Sequence, residues 1–350
     1  MNPSPPAISC PVPKSDYDRI LLAHGGGGRL SGDLLRHVFL PAFANDILSK
    51  LEDQATVPWP GGRLAFTTDA FVVRPIFFPG GDIGKLAVNG TVNDLAVGGA
   101  RPLYLSAAFI LEEGLPLADL ERIVASMKEA CLRAGVTLVT GDTKVVDRGK
   151  GDKVFITTAG IGVVPEDRSL SIASARPGDR ILLSGTIGDH GMAILSQREG
   201  IEFESPLESD SAPLHELVGA ILEASGGVRA MRDPTRGGLA ATLHELARAS
   251  GVGVRVEEER IPVRPEVKGA CELLGLDPLT IANEGKLVAV VEAREADRVV
   301  QAMRAHPLGR EAAVIGEVLE GGAGLVRLRS RVGGERIVTE LAGEPLPRIC

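Results

Sequence analysis

Leu117-Ala118-Asp119-Leu120-Glu121-Arg122-Ile123-Val124-Ala125-Ser126-Met127-Lys128-Glu129-Ala130-Cys131-Leu132-Arg133 is the stretch whose period decides the fold class. Leu120, Val124, Met127 and Cys131 recur at helical spacing, which predicts an amphipathic helix, and Gly135 is a fitting residue after its C-cap. The flanking runs have strand length and composition: Leu103 to Leu111 before it, Val136 to Thr140 and Val154 to Val163 after it. A helix set among strands predicts a mixed α/β unit. Further towards the N-terminus, Gly84 to Gly98 reads as a helix and Leu64 to Thr68 as a short strand ending at Asp69. An apolar helix from about Asp33 to Phe43 follows the run His24-Gly25-Gly26-Gly27-Gly28-Arg29.

In the other direction, Pro165 to Pro177 reads as a linker. Beyond it, Arg180 to Ser184, Val252 to Val256, Leu287 to Val291 and Ala312 to Val318 read as strands. Helices are expected at Gly188 to Ser196, Leu214 to Ala224, Gly237 to Ser250, Pro265 to Leu274 and Ala293 to Arg304. Gly324 to Arg331 and Glu335 to Leu341 alternate apolar and polar residues, and Gly333-Gly334 between them marks a hairpin turn. A length of 350 residues suits about two domains. The expected organisation is a disordered leader (1–15), an N-terminal domain (16–165), a C-terminal α/β domain (175–335) and a tail (336–350).

The tail closes on Pro345-Leu346-Pro347-Arg348-Ile349-Cys350. Its two prolines favour an extended run that loses little entropy on entering a groove. Leu346 and Ile349 are apolar handles for such a groove, and Cys350 brings a thiol. Fraying of the last residues is the plain alternative.

A net charge of −8 argues against affinity built on neutralising a nucleic-acid backbone. It does not argue against a nucleotide, because Mg²⁺ brings its own positive charge. No apolar run is long enough to span a membrane, and Met1 to Pro13 lacks the apolar core of a signal peptide. Cys10, Cys131, Cys271 and Cys350 are too far apart for a CxxC motif, which fits a reducing cytoplasm. Cys131 and Cys271 fall on apolar helix faces and are expected to be buried free thiols.

Four loops share a pattern in which an apolar strand or helix runs into an aspartate flanked by Gly or Thr: Thr67-Thr68-Asp69, Asn89-Gly90-Thr91-Val92-Asn93-Asp94, Thr140-Gly141-Asp142-Thr143-Lys144, and Gly185-Thr186-Ile187-Gly188-Asp189-His190-Gly191. The second lies inside an expected helix, where Asn, Gly and Asp are unfavourable. Each alone is equally an N-cap or turn aspartate. Their recurrence points to a hard cation and phosphates, since Mg²⁺ takes carboxylate and phosphate oxygens. The Gly25 to Gly28 run is neither a Walker loop nor a dinucleotide fingerprint, though its N–H groups could wrap phosphates. Asp233-Pro234-Thr235-Arg236-Gly237-Gly238 opens a helix, as an anion site or as a plain cap. Asn283-Glu284-Gly285-Lys286 is a polar turn before a buried strand, where the carboxylate is a candidate base or an ordinary turn residue.

With Phe77-Phe78-Pro79-Gly80-Gly81, Val139 to Val146 and the closing Pro-Arg-Ile-Cys, these motifs resemble the HypE family of hydrogenase maturation proteins. That family belongs to the superfamily of aminoimidazole ribonucleotide synthetase and selenophosphate synthetase. The resemblance runs from His24 to Cys350, and the closing motif is its most specific part. Gly26 stands where the family often has Ser, a change that keeps the backbone donors. The resemblance implies a two-domain aminoimidazole ribonucleotide synthetase-like fold of mixed sheets with a flexible tail. It implies a homodimer paired through the first domain, with ATP and Mg²⁺ in a cleft between the domains and near the dimer interface.

The activity so implied is ATP-dependent dehydration of a carbamoyl group on Cys350 to a thiocyanate. The carbamoyltransferase HypF would load the thiol, and the HypC–HypD complex would accept the cyanide for a NiFe-hydrogenase iron. By the same resemblance Glu284 is the base with Lys144 beside it, and Asp69, Asp94 and Asp142 hold the metal. Gly25, Gly26, Gly27, Gly28, Lys85, Asn89, Asn93, Thr143 and Gly188 serve ATP and phosphate, with Asp189, Asp233 and Arg236 as further members. A selenophosphate synthetase would want a reactive Cys in the glycine loop, but Cys10 lies upstream of it. A non-enzymatic carrier of Cys350 would leave the aspartate segments redundant.

Overall fold

A computed structural model describes residues 18–21, 33–46, 48–50, 59, 62–200, 207–339, 346 and 348–350. The expected leader, the Gly25 to Gly28 run, Cys10, Pro345 and Pro347 lie outside the described residues. Elements are labelled in chain order, with the short helical turns left unlabelled. They are β1 (Arg63–Phe71), β2 (Phe77–Phe78), β3 (Gly81–Asp82), α1 (Ile83–Val97), β4 (Arg101–Glu112), α2 (Leu117–Ala134), β5 (Thr137–Val146) and β6 (Val154–Val164). There follow β7 (Arg180–Leu183), α3 (Asp189–Glu199), α4 (His215–Ala224), β8 (Val228–Arg232), α5 (Gly238–Ser250), β9 (Gly253–Glu257) and α6 (Pro265–Leu274). The chain continues through β10 (Val288–Val291), α7 (Ala296–Ala305), β11 (Ala313–Leu319), β12 (Val326–Arg329) and β13 (Glu335–Ile337).

The first half is a sheet of order β1-β6-β4-β5, antiparallel except for the parallel β4–β5 pair. Helices α1 and α2 cover one face. In α2 the stripe Leu120, Val124, Met127 and Cys131 is buried, and Gly135 ends the helix at φ 64°, as the sequence predicts. Every residue of α1 except Lys85 and Asp94 is buried. A helix apolar all round must be enclosed on all sides. Here the sheet and α2 lie on one side, while Ala96 and Val97 join Leu182 and Leu217 of the second half on the other. Asp82 caps α1 by accepting from Gly84 N at 2.8 Å and Lys85 N at 3.0 Å.

The second half is a seven-stranded sheet of order β13-β12-β9-β11-β7-β10-β8. Helix α5 fills a core on one face, and α4 and α7 fill one on the other. Helices α3 and α6 instead join the core of the first half, with Leu346 and Ile349. Mixed α/β architecture in two halves is what the sequence predicts.

Three local expectations change. Strand β1 does not end at Asp69 but runs on to Phe71, so Asp69 is a strand residue. The segment Thr140 to Lys144 is not a loop: it lies within β5, paired with β4 from Ser106↔Thr140 to Ile110↔Lys144. Gly141 fits there because a Cβ would meet Ala107 O at 2.5 Å. Strand β8 is absent from the sequence reading, since Val228-Arg229-Ala230-Met231-Arg232 has little strand character and its pairing with β10 makes it one.

Candidate active site

Strand β1 and helix α1 face each other through alternate residues. Thr67 Oγ1 donates to Asp94 Oδ2 at 2.9 Å, and Thr91 Oγ1 donates to Asp69 Oδ2 at 2.9 Å. Residues two apart on a strand share a face, as do residues three apart on a helix. Two carboxylates are thereby aimed together from two elements. The second half adds Asp233, just after β8, and Glu284, just before β10. Burial and the neighbouring Asp94 push Asp69 up to about 6, against smaller opposing effects of Thr91 and Arg236. Burial, Asp94 and Asp69 push Asp233 up to about 7. Glu284 is raised well above the usual carboxylate range by burial and by Asp233, Asp210 and Asp69.

Three carboxylates raised by burial and by their acidic neighbours, with Asp94 beside them, form a site short of positive charge. No three His, Cys, Asp or Glu side chains among the described residues converge as a ready metal cage. All-oxygen donors and incomplete protein ligation suit Mg²⁺, which usually takes one or two carboxylates plus phosphates. Beside Asp94 lies a groove of about 510 Å³ lined by Leu64, Phe66, Leu170, Ile172 and Met231 among others. Its size is that of a small-ligand pocket, and its apolar side chains are mixed with Thr67, Ser171 and Arg232.

Glu284 is held by its main chain. Its N–H donates to Asp210 Oδ1 at 3.0 Å, and its carbonyl accepts from Asn93 Nδ2 at 3.2 Å. Gly285 passes so close to residue 210 that a Cβ would meet Asp210 O at 1.8 Å. Asn283 ties this turn to its neighbours, accepting from Gly188 N at 2.7 Å and donating to Pro234 O at 2.9 Å. The Glu284 carboxylate accepts a hydrogen bond from the Cys350 thiol. Of the described closing residues, Leu346 and Ile349 are buried and Cys350 is half-buried.

Behind Glu284 is a second charged group. Lys286 Nζ lies 3.2 Å from Asp210 Oδ2 and 4.0 Å from Asp189 Oδ2. Lys286 holds Asp210 below its usual range despite burial, with the Glu284 N–H adding to the effect. Burial pushes Asp189 up. Sequence reasoning missed Asp210. Its segment Ser209-Asp210-Ser211 reads as a turn, and only folding brings it against Glu284.

The remaining candidates are dispersed. Lys85 Nζ donates to Gly80 O at 2.7 Å, and with Asn89 it lines a separate cavity of about 230 Å³. Asn93 joins the two halves: it donates to Ala212 O and accepts from Leu214 N at 2.8 Å. The Gly188 N–H is committed to Asn283, so in this conformation it is no free phosphate donor. Arg236 is near enough to Asp69 to lower its proton affinity. Asp142 is level with the site but on the far edge of the sheet: it pairs with Ala108, Ala108 with Thr157, and Thr157 with Ala70. That row faces away from α1. Asp142 and Lys144 are therefore exposed, and among the described residues no ion pair joins Lys144 to Glu284. Thr143, between them, takes its N–H to Asp142 Oδ1 at 2.8 Å.

Two family models match the chain, AIR synthase related protein, N-terminal domain, over residues 51–164, and its C-terminal domain over 176–328. The chain is 59% identical over 333 residues to the carbamoyl dehydratase HypE of Cupriavidus necator, covering 95% of each. A crystal structure of the hydrogenase maturation protein HypE in complex with ATP matches at a TM-score of 0.91 and 50% identity, over 94% of this chain and 99% of that one. HypE in a HypE–HypF complex matches at a TM-score of 0.78 and 49% identity, over 88% of this chain and 99% of that one.

Proposed function

The chain belongs to the HypE family within the AIR synthase superfamily, and on that footing we propose that it uses ATP to dehydrate a carbamoyl group on its own Cys350 to a thiocyanate. One observation carries the reading: the Cys350 thiol lies against the carboxylate of buried Glu284, beside Asp69, Asp94 and Asp233. A carbamoyl group on that sulfur would sit between a base and a site suited to Mg²⁺ and phosphates.

The amide oxygen is a poor leaving group until it takes the γ-phosphoryl of ATP, with ADP departing. Two N–H protons then leave, the C–O bond breaks as phosphate departs, and C≡N remains on sulfur. Glu284 fits the proton-accepting role, because its surroundings raise its affinity for a proton. Asp69 and Asp94 would hold Mg²⁺, which when bound supplies positive charge to the phosphates. The groove beside Asp94, with apolar and polar walls, suits the nucleoside end of ATP.

The sheet face turned away from α1 carries Leu64, Phe66 and Ile110, exposed by 63%, 67% and 41%. We read it as the face that pairs with a second copy, as the family implies. In a face-to-face pair Asp142 and Lys144 leave solvent and lie near the site only through that pairing. HypF as the carbamoyl donor, HypC–HypD as the cyanide acceptor and a cytoplasmic setting complete the proposal. A net charge of −8 and the absence, among the described residues, of a helix long and apolar enough to cross a membrane accord with it.

Intact mass after incubation with HypF, carbamoyl phosphate and ATP tests the reading. The expected result is a carbamoyl adduct on Cys350 that loses one water only when ATP is present. Cys350→Ala should fold and bind ATP yet accept no adduct. Carbamoylation on Cys10, Cys131 or Cys271 instead, or an adduct that never loses water, overturns it.

A further inference from the structure

We propose that Asp152, His190 and Arg198 are positioning residues that hold the closing segment in one register, so that the Cys350 sulfur meets Glu284. The inference rests on the reading of Cys350 as the carrier of the reacting group. The segment lies alongside residues 72–74 through two backbone hydrogen bonds: Val72 N donates to Cys350 O at 3.1 Å and Arg74 N to Arg348 O at 3.1 Å. Two side chains then grip the same backbone. His190 Nε2 is 2.8 Å from Ile349 O, and Arg198 Nη2 donates to Arg348 O at 2.9 Å. Arg198 also ties down the receiving segment through Arg74 O, at 3.1 Å from Nε and 2.8 Å from Nη2.

Each of these contacts engages a main-chain carbonyl. A backbone clamp is indifferent to what the Cys350 sulfur carries, so it can seat the free and the loaded thiol alike. Register matters because a slip of one residue along the backbone displaces the sulfur by one Cα–Cα step, roughly 3.8 Å.

One side chain of the segment is read directly. The Arg348 guanidinium pairs with Asp152, in the turn between β5 and β6. Arg348 has φ 60°, a left-handed backbone uncommon outside glycine. That conformation sends its carbonyl to Arg74 and Arg198 while its side chain reaches Asp152. His190 is fully buried, and its Nε2 faces a carbonyl, so Nε2 carries the proton; Nδ1, 2.8 Å from Ser209 Oγ, then accepts. Ser209 adjoins Asp210, which receives the Glu284 N–H. One loop therefore supports both the base and the clamp that presents its substrate.

The test is the alkylation rate of Cys350 by iodoacetamide in the full-length native protein, resolved by peptide mass spectrometry, with buried Cys131 and Cys271 as controls. Asp152→Arg and Arg348→Asp, made singly, should each raise the Cys350 rate roughly three- to tenfold, the scale expected for turning a part-exposed ion pair into a repulsion. The double reversal should bring it back towards wild type, which no general loosening would do. Arg198→Ala should raise the rate while leaving ATP affinity by calorimetry unchanged. His190→Gln, which keeps a donor, should stay close to wild type, and His190→Leu should not. Unchanged rates in the single variants, or no rescue in the double, overturn the clamp even if the protein dehydrates its carbamoyl group. The predicted pattern without any dehydration upholds the clamp and sinks the functional reading alone.

Discussion

At Glu284 burial and three neighbouring acids act in the same direction, each favouring the protonated form. Glu284→Gln keeps the shape and loses the basicity. It should bind ATP with wild-type affinity and form no thiocyanate from a pre-carbamoylated chain; a wild-type rate in single-turnover mass spectrometry would mean that Glu284 is not the base. Asp69 near 6 and Asp233 near 7 also carry a sign. Their folded values lie above the unfolded carboxylate value of about 4. Their favourable contribution is therefore complete below that value and is lost as pH rises through about 6 to 7. The ligand-free protein should lose thermal stability across this window. A dication acts oppositely, because it needs the ionised forms. Affinity for Mg·ATP should rise between pH 6 and pH 8, with proton release visible when calorimetry is repeated in buffers of different ionisation enthalpy. A pH-independent affinity would remove Asp69 from the metal site.

At the scale of elements, the turn before β10 is set by a close approach. A Cβ on residue 285 cannot stand 1.8 Å from Asp210 O. Gly285→Ala should cost about 1–3 kcal/mol of unfolding free energy, measured by urea denaturation, and should depress turnover by shifting Glu284. Stability and turnover both at wild-type levels would show that the turn yields freely. Helix α1 and strand β5 carry a second contrast. Asp94→Asn removes a charge from the site within one chain, while Asp142→Asn removes one from the exposed face that the proposed pairing would cover. Both should weaken Mg·ATP binding in calorimetry. Unchanged affinity in both variants would sink the metal assignment; a loss for Asp94 alone would place Asp142 outside it. The helix of α1 was legible because its apolar residues are continuous, and its polar run Asn89 to Asp94 was legible as an interruption. That Asn93 spans the two halves was not, since Ala212 and Glu284 are remote in sequence.

For the whole molecule, the proposed pairing through the sheet face turned away from α1 bears on whether one chain makes the site by itself. Burying a residue the size of Leu64, Phe66 or Ile110 contributes about 1.5–3 kcal/mol each. Ile110→Arg, on that face but outside the groove beside Asp94, should therefore yield a monomer in sedimentation velocity where the proposed pairing makes the unaltered chain a dimer. Its carbamoylated form should lose turnover as Lys144→Ala does, and a dimeric Ile110→Arg would move the interface elsewhere.

Hydrophobic period and turn chemistry, both local, carried the sequence a long way. They determined the alternation of helices and strands, the linker after β6, the closing hairpin of β12 and β13, and the segments where acids crowd. Pairing between distant strands is non-local, so only the tertiary structure decided that Thr140 to Lys144 is sheet and that β8 exists. The same holds for the site. Residues 69, 94, 233, 284 and 350 are each visible in sequence as a motif. Their convergence depends on α1 being enclosed between the halves and on the closing segment joining residues 72–74. Asp210 and Asp152 had no motif to mark them. They matter through a main-chain contact and an ion pair to residues far along the chain, which no local pattern encodes.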